Sequence, residues 1–121
     1  SGVVTSKSYM RTSPQVVENL AKAVVEGAAF VRNPANRRIV VDSIARNLRL
    51  DRGERLERAY QTITDMIPRK PCPSLPGIAS VLKLMAQHGL NAKAAGFKPD
   101  DIADLTVCKK LDDTGFFDRL R

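Results

Sequence analysis

The residues able to do chemistry are few and scattered. One histidine, His88, sits at the expected end of a helix beside Gly89. A cationic group is favoured there by the helix dipole, so His88 reads as a terminus-stabilising surface residue, not a general base. Asp100, Asp101 and Asp104 form one acidic cluster, and Asp112 and Asp113 a second. Neither has the alternating ligands and distal glutamate of a calcium loop. Both read as helix-start residues that satisfy free N–H groups. Cys72 and Cys108 are far apart and form no CxxC motif. They can pair in an oxidising compartment or stay as small buried thiols, and the sequence alone does not separate the two. Tyr9 and Tyr60 could line a pocket, but tyrosines at helical spacing among apolar residues are usually core. No nucleophile elbow, Gly-rich dinucleotide motif or Walker loop is present. The chain therefore reads as a non-enzyme, with no catalytic residue, no metal site, no cofactor and no identifiable ligand-binding residue.

The elements that would position such groups are mostly helical. Residues 13–33 (SPQVVENLAKAVVEGAAFVRN) form the spine, with Ser13 as N-cap and Pro14 at the first helical position. Val17, Leu20, Ala21, Val24, Ala28 and Val31 recur at three- and four-residue steps and predict one buried stripe. Ala21, Gly27 and Ala28 leave room for another element to approach. A second helix is expected from Pro34 to about Leu50. A third follows, with Asp51 and Glu54 as a capping box and Leu56, Ala59, Tyr60, Ile63 and Ile67 on one face. Four prolines within residues 68–76 predict an extended connector. Ser74 caps a fourth helix that Gly89 ends. Residues 91–98 read as a loop, residues 99–105 as a short helical turn. A last helix over residues 107–120 is broken near Gly115 and anchored by Phe116, Phe117 and Leu120. Residues 2–5 (GVVT) are short, apolar and β-branched, and predict one strand. The fold class is mainly α, with five to six helices and one short N-terminal strand.

The 121 residues suit a single domain that buries roughly two-thirds of its unfolded surface. With 43% hydrophobic, 5% aromatic and no tryptophan, its core must be aliphatic. The net charge of +7 permits an acidic partner. However, Arg46, Arg49, Arg52, Arg55 and Arg58 are interleaved with Asp51, Glu54 and Glu57, which describes a solvated mixed-charge face. No apolar run reaches the ~20 residues that span a bilayer. The chain starts at Ser1, which is read as a processed or excised piece, so a missing signal peptide says nothing about compartment.

One series of motifs points further. It runs from GVVT and the P-x-x-V that opens the spine, through the NP before the second helix and the tyrosine before the Pro-rich link. It continues with the G-I-x-x-V-L helix and closes with K-P-x-D-x-x-D-L. In this order the series resembles the C-terminal portion of periplasmic solute-binding proteins of the nitrate, sulfonate and taurine type, the group that includes thiamine-pyrimidine binders. The resemblance covers nearly all of the chain. It implies part of one lobe of a two-lobed α/β clamp with the type II periplasmic-binding-protein fold. That clamp captures a small organic or anionic solute and delivers it to an ABC permease. The resemblance implies a periplasmic location, and a partner sheet for the strand from outside residues 1–121 or from another copy. It also implies that most ligand contacts lie elsewhere, and no binding residue is carried over. Nothing matches the cysteine-rich iron motif of the related thiamine-pyrimidine synthases, so no activity is imported. Bare apolar faces predict that the isolated chain dimerises. The rival reading is a basic helical nucleic-acid- or protein-interaction domain, which rests on charge and helicity alone.

Overall fold

The computed structural model describes residues 3–120. The secondary structure is helical, and among the described residues there is no strand. Eight α-helices follow in order: α1 (Lys7–Thr12), α2 (Pro14–Arg32), α3 (Arg37–Leu48), α4 (Glu54–Met66), α5 (Leu75–Gln87), α6 (Pro99–Ile102), α7 (Thr106–Asp113) and α8 (Phe116–Arg119). Two 3₁₀ turns, Pro34–Asn36 and Ala92–Gly96, join them.

The expected strand is corrected by the structure. Gly2 lies outside the described residues, and residues 3–5 are coil. Val3 and Val4 are 56% and 92% exposed. A β-branched tripeptide has strand propensity but no ladder partner within this chain, and an unpaired strand has no hydrogen bonds to hold it.

The spine keeps its bounds but not its cap. Ser13 accepts no side-chain cap bond; it doubles as the C-cap of α1, donating its N–H to the Tyr9 carbonyl, and its backbone (φ −136, ψ 51) is not the extended form usual at an N-cap. Its own carbonyl receives the N–H groups of Val16 and Val17. The buried stripe of α2 is also rotated from the expected one. Val25 and Glu18 are buried, whereas Leu20 and Val24 are 49% and 44% exposed. Nothing lies within 4 Å of where a Gly27 side chain would begin. The approach that the small residues permit is absent at Gly27 among the described residues, whereas Ala21 packs against the core formed with α7 and α8.

At the next joint, Asn33 ends α2 and its Oδ1 accepts the Ala35 N–H, turning the chain through the first 3₁₀ turn. Helix α3 ends with Arg49 in the left-handed conformation (φ 52) and with Leu50 donating to the Ala45 carbonyl. The capping box expected at Asp51 does not form, since α4 starts three residues later. Gly53 is the N-cap there, and Glu54 and Glu57 occupy the first turn. Ser74 does cap α5, its Oγ accepting from Gly77 N at 3.1 Å. Gly89 follows α5 at φ 65, and Gly115 (φ 67) separates α7 from α8, both as expected. The small-residue loop at 91–98 is instead a capped 3₁₀ turn, with Asn91 Oδ1 accepting from Lys93 N.

The interior is divided between two small cores. Helices α3 and α4 bury Val40, Val41, Ile44, Leu56 and Tyr60. Helix α2 with α7 and α8 buries Val25, Leu111 and Phe117. No described side chain is fully sealed from solvent, and the whole chain exposes 9260 Å². A compact monomer of 13.3 kDa exposes only ~6,400 Å² by the usual surface scaling. The chain thus buries about half of its unfolded surface, short of the expected two-thirds. The shortfall lies on the helices. Val16, Leu20, Val24 and Phe30 of α2, and Val81 and Leu84 of α5, are all at least 44% exposed.

Candidate functional site

The chemistry-bearing residues do not converge. His88 is the C-cap of α5, its backbone N–H donating to the Leu84 carbonyl while the Gly89 N–H donates to that of Ala86, the terminal position expected of it. Tyr60 is buried in the α3–α4 core, with the Arg37 guanidinium 5.2 Å from its ring centroid. Tyr9 is 45% exposed on α1, so the two tyrosines share no pocket. Arg37 also forms an ion pair with Glu57, whose hydrogen bond raises the arginine pKa.

The first acidic cluster behaves as expected. Asp101 Oδ2 accepts from Lys98 N at 2.9 Å and opens α6. Asp104 Oδ1 accepts from Thr106 N at 2.8 Å and opens α7. Bonds from the Thr106 side chain and backbone lower the Asp104 pKa. The second cluster does not. Asp112 and Asp113 lie in the last turn of α7, not at a helix start. There Asp112 holds Lys70 Nζ at 2.5 Å and Asp113 holds Lys109. The reason is that α7 already starts at Thr106 and runs through Asp113 before Gly115 ends it, so both aspartates fall at its C-terminal end. No group of three or more histidine, cysteine or carboxylate side chains fit to hold a metal exists among the described residues.

The two cysteines are brought together. Cys72 and Cys108 form a disulfide, with Cα atoms 5.8 Å apart, which decides between the two readings the sequence leaves open. Cys72 lies in the connector and Cys108 on α7, so the bond ties segments separated by 36 positions. The connector's prolines hold it extended along α7, where its neighbour Lys70 reaches Asp112. Hydrogen bonding to Asp112 raises the Lys70 pKa. Disulfide and ion pair together clamp the base of an excursion that contains α5, the second 3₁₀ turn and α6. These three pack chiefly on one another. Among residues 73–105 only Ala94 is buried.

A further charged group was not singled out from the sequence. Glu18 is buried on α2 and is held from two sides, by Lys22 Nζ at 2.7 Å and Lys110 Nζ at 2.5 Å. The hydrogen bond from Lys110, then that from Lys22, lowers the Glu18 pKa against the opposing effect of burial. The Glu18–Lys22 spacing is a helical i,i+4 signal legible in the sequence. Lys110 is 92 positions away from Glu18, and no local pattern announces it.

The arginine-rich stretch is compensated only in part, since Arg46, Arg49 and Arg55 form no ion pair among the described residues. Arg37 pairs with Glu57, Arg52 with Asp42, and Arg58 with Glu54. This is the mixed-charge face expected from the interleaving. None of the helices is long and apolar enough to cross a membrane among the described residues.

What remains distinctive is helix α5. It carries one charged residue, Lys83, in thirteen positions, yet buries none of its side chains. A helix apolar on nearly all sides normally lies inside a protein. Ile78, Leu82 and Met85 are half-buried, while Val81 and Leu84 stand 57% and 52% exposed. Comparison with family models, curated proteins and solved structures finds no match for this chain.

Proposed function

We propose that the chain is the helical scaffold of one lobe of a periplasmic solute-binding protein, the capture component of an ABC importer. The solute is a small organic or anionic molecule of the nitrate, sulfonate, taurine or pyrimidine type. The single observation that carries this reading is the uncovered apolar α5. Helices of α/β proteins have that character because they cover the face of a largely parallel sheet. The type II binding-protein fold supplies such a sheet, and the order of sequence motifs resembles that of its helices. The disulfide supports a periplasmic site, because such bonds persist in oxidising compartments.

In this reading the chain makes no covalent chemistry. The two lobes close on the solute by hinge motion and present the closed form to a permease. Residues 1–121 position the lobe, and the disulfide-clamped excursion fixes α5 against the sheet.

The test is to read the coding sequence upstream and to screen its secreted product. A further ~200 residues led by a signal peptide are expected, as a two-lobed clamp needs more than one domain's length. The product should gain thermal stability with one member of a panel of nitrate, taurine, alkanesulfonates and pyrimidines. A short reading frame with no such upstream region, or a full-length product that responds to none of the panel, overturns the proposal.

A further inference from the structure

A groove lies between the end of α3 and one side of α4. It is open along its length and has a volume of about 520 Å³. Leu48, Ala59 and Ile63 supply its apolar lining, and Arg55, Arg58 and Thr62 its polar groups. On α4 these residues recur at steps of three and four, so one side of the helix presents them over ~12 Å, or about two turns. Ala59 and Ile63 pack against the α3–α4 core, which fixes the floor of the groove. Leu48, at the end of α3, is 55% exposed.

Charge selects what the groove takes. No carboxylate lines it. Arg55, and Arg49 next to Leu48 in the chain, form no ion pair among the described residues. Arg58 pairs with Glu54, but the two side chains are 74% and 82% exposed, and such a pair is weakly held. Either guanidinium can therefore receive a carboxylate in the two-pronged geometry that arginine favours. The apolar lining selects further. A phosphate backbone would leave Leu48 and Ile63 without apolar company, and the groove has no aromatic ring on which a base could stack. A second copy is a poor occupant. It brings a net charge of +7, and at least six of its 13 carboxylates already hold a lysine or an arginine.

We infer that the α3–α4 groove seats an acidic amphipathic helix of another protein. About two turns of that helix lie along α4, the mode in which an apolar face enters a groove and charge sets the register. Its aliphatic side chains cover Leu48, Ala59 and Ile63, and its carboxylates meet Arg55 and Arg58. Helix α5 takes no part, so this inference and the lobe reading can fail separately.

The experiment is fluorescence anisotropy of the 121-residue chain with a labelled helical peptide of about sixteen residues, glutamate on one side and leucine on the other. Saturable binding of one peptide per chain is expected. Arg55→Gln combined with Arg58→Gln should weaken it ~10-fold or more. Arg11→Gln combined with Arg38→Gln removes the same charge from exposed positions outside the groove and should leave the affinity within about twofold. A peptide with serine in place of leucine should bind ~10-fold or more weakly. All four arginines are exposed, so circular dichroism should report unchanged helix content. No saturable binding, equal losses in the two double variants, equal binding of the serine peptide, or tighter binding of duplex DNA overturns the inference. So does self-association in sedimentation that Arg55→Gln with Arg58→Gln abolishes, because the groove then belongs to a second copy.

Discussion

Removal of the Cys72–Cys108 bond is the sharpest test of how the excursion is held. The bond closes a loop with a separation of 36 positions. In the chain-entropy account, a loop of that length removes about 13 cal/mol/K of unfolded-state entropy, or ~3.8 kcal/mol at 25 °C. Domains of this size have only ~5–15 kcal/mol of net stability, so the loss is a large part of the whole. The double variant Cys72→Ser, Cys108→Ser should therefore melt on the order of 10 °C or more below the parent. A reductant should lower the parent's midpoint to that of the variant and leave the variant unchanged. The loss should also be uneven. Lys70 and Asp112 alone would then hold the connector to α7, and a half-exposed ion pair of this kind contributes at most ~1 kcal/mol. Amide exchange should accelerate across residues 75–102, while the α3–α4 core keeps its protection. An unchanged midpoint, or acceleration spread evenly over both cores, would refute the clamp.

Other outcomes follow from the same geometry. Leu56→Ala and Leu111→Ala each empty a site only 3% exposed and should cost about 2–5 kcal/mol in chemical denaturation. Because the two lie in separate cores, the double variant should lose the sum of both costs, within ~0.5 kcal/mol. Glu18 has a lowered folded pKa, so its contribution is full above the unfolded glutamate value of about 4.3. It is lost as pH falls through the lower folded value. Glu18→Gln should flatten that acid limb of a stability-against-pH curve and leave the curve's alkaline side unmoved. Arg49→Gly relieves a left-handed L-residue that carries ~1 kcal/mol of strain, part of which the freer unfolded chain offsets. A gain of about 0.5 kcal/mol in urea melts is expected, and a loss would count against the strain argument.

Local chemistry was legible, and distant partners were not. Pro14, Ser74, Gly89 and Gly115 mark helix boundaries because each acts on its own backbone or on that of the next few residues. The Asp51–Glu54 box failed for the same kind of reason. Arg49 in the left-handed conformation and Gly53 at φ 155 settle where the chain can re-enter a helix, and neither angle can be read from residue types. The rotation of α2's buried stripe toward Glu18 and Val25 depends on Lys110, Leu111 and Phe117, which lie at the far end of the chain. The disulfide is the same case, since its two cysteines are neighbours only once the connector lies along α7. Residues 3–5 show the converse: strand propensity was visible, but a strand is made by its partner.

The closure of α2 by α7 and α8 also orders events during synthesis. Val25 leaves the ribosome nearly ninety residues before Leu111, an interval of roughly 4–17 s at ordinary elongation rates. Through that interval the longest helix displays both of its apolar sides and a glutamate without its distant lysine. This segment is therefore at its most adhesive before α7 and α8 are made, and chaperones have that window in which to bind α2.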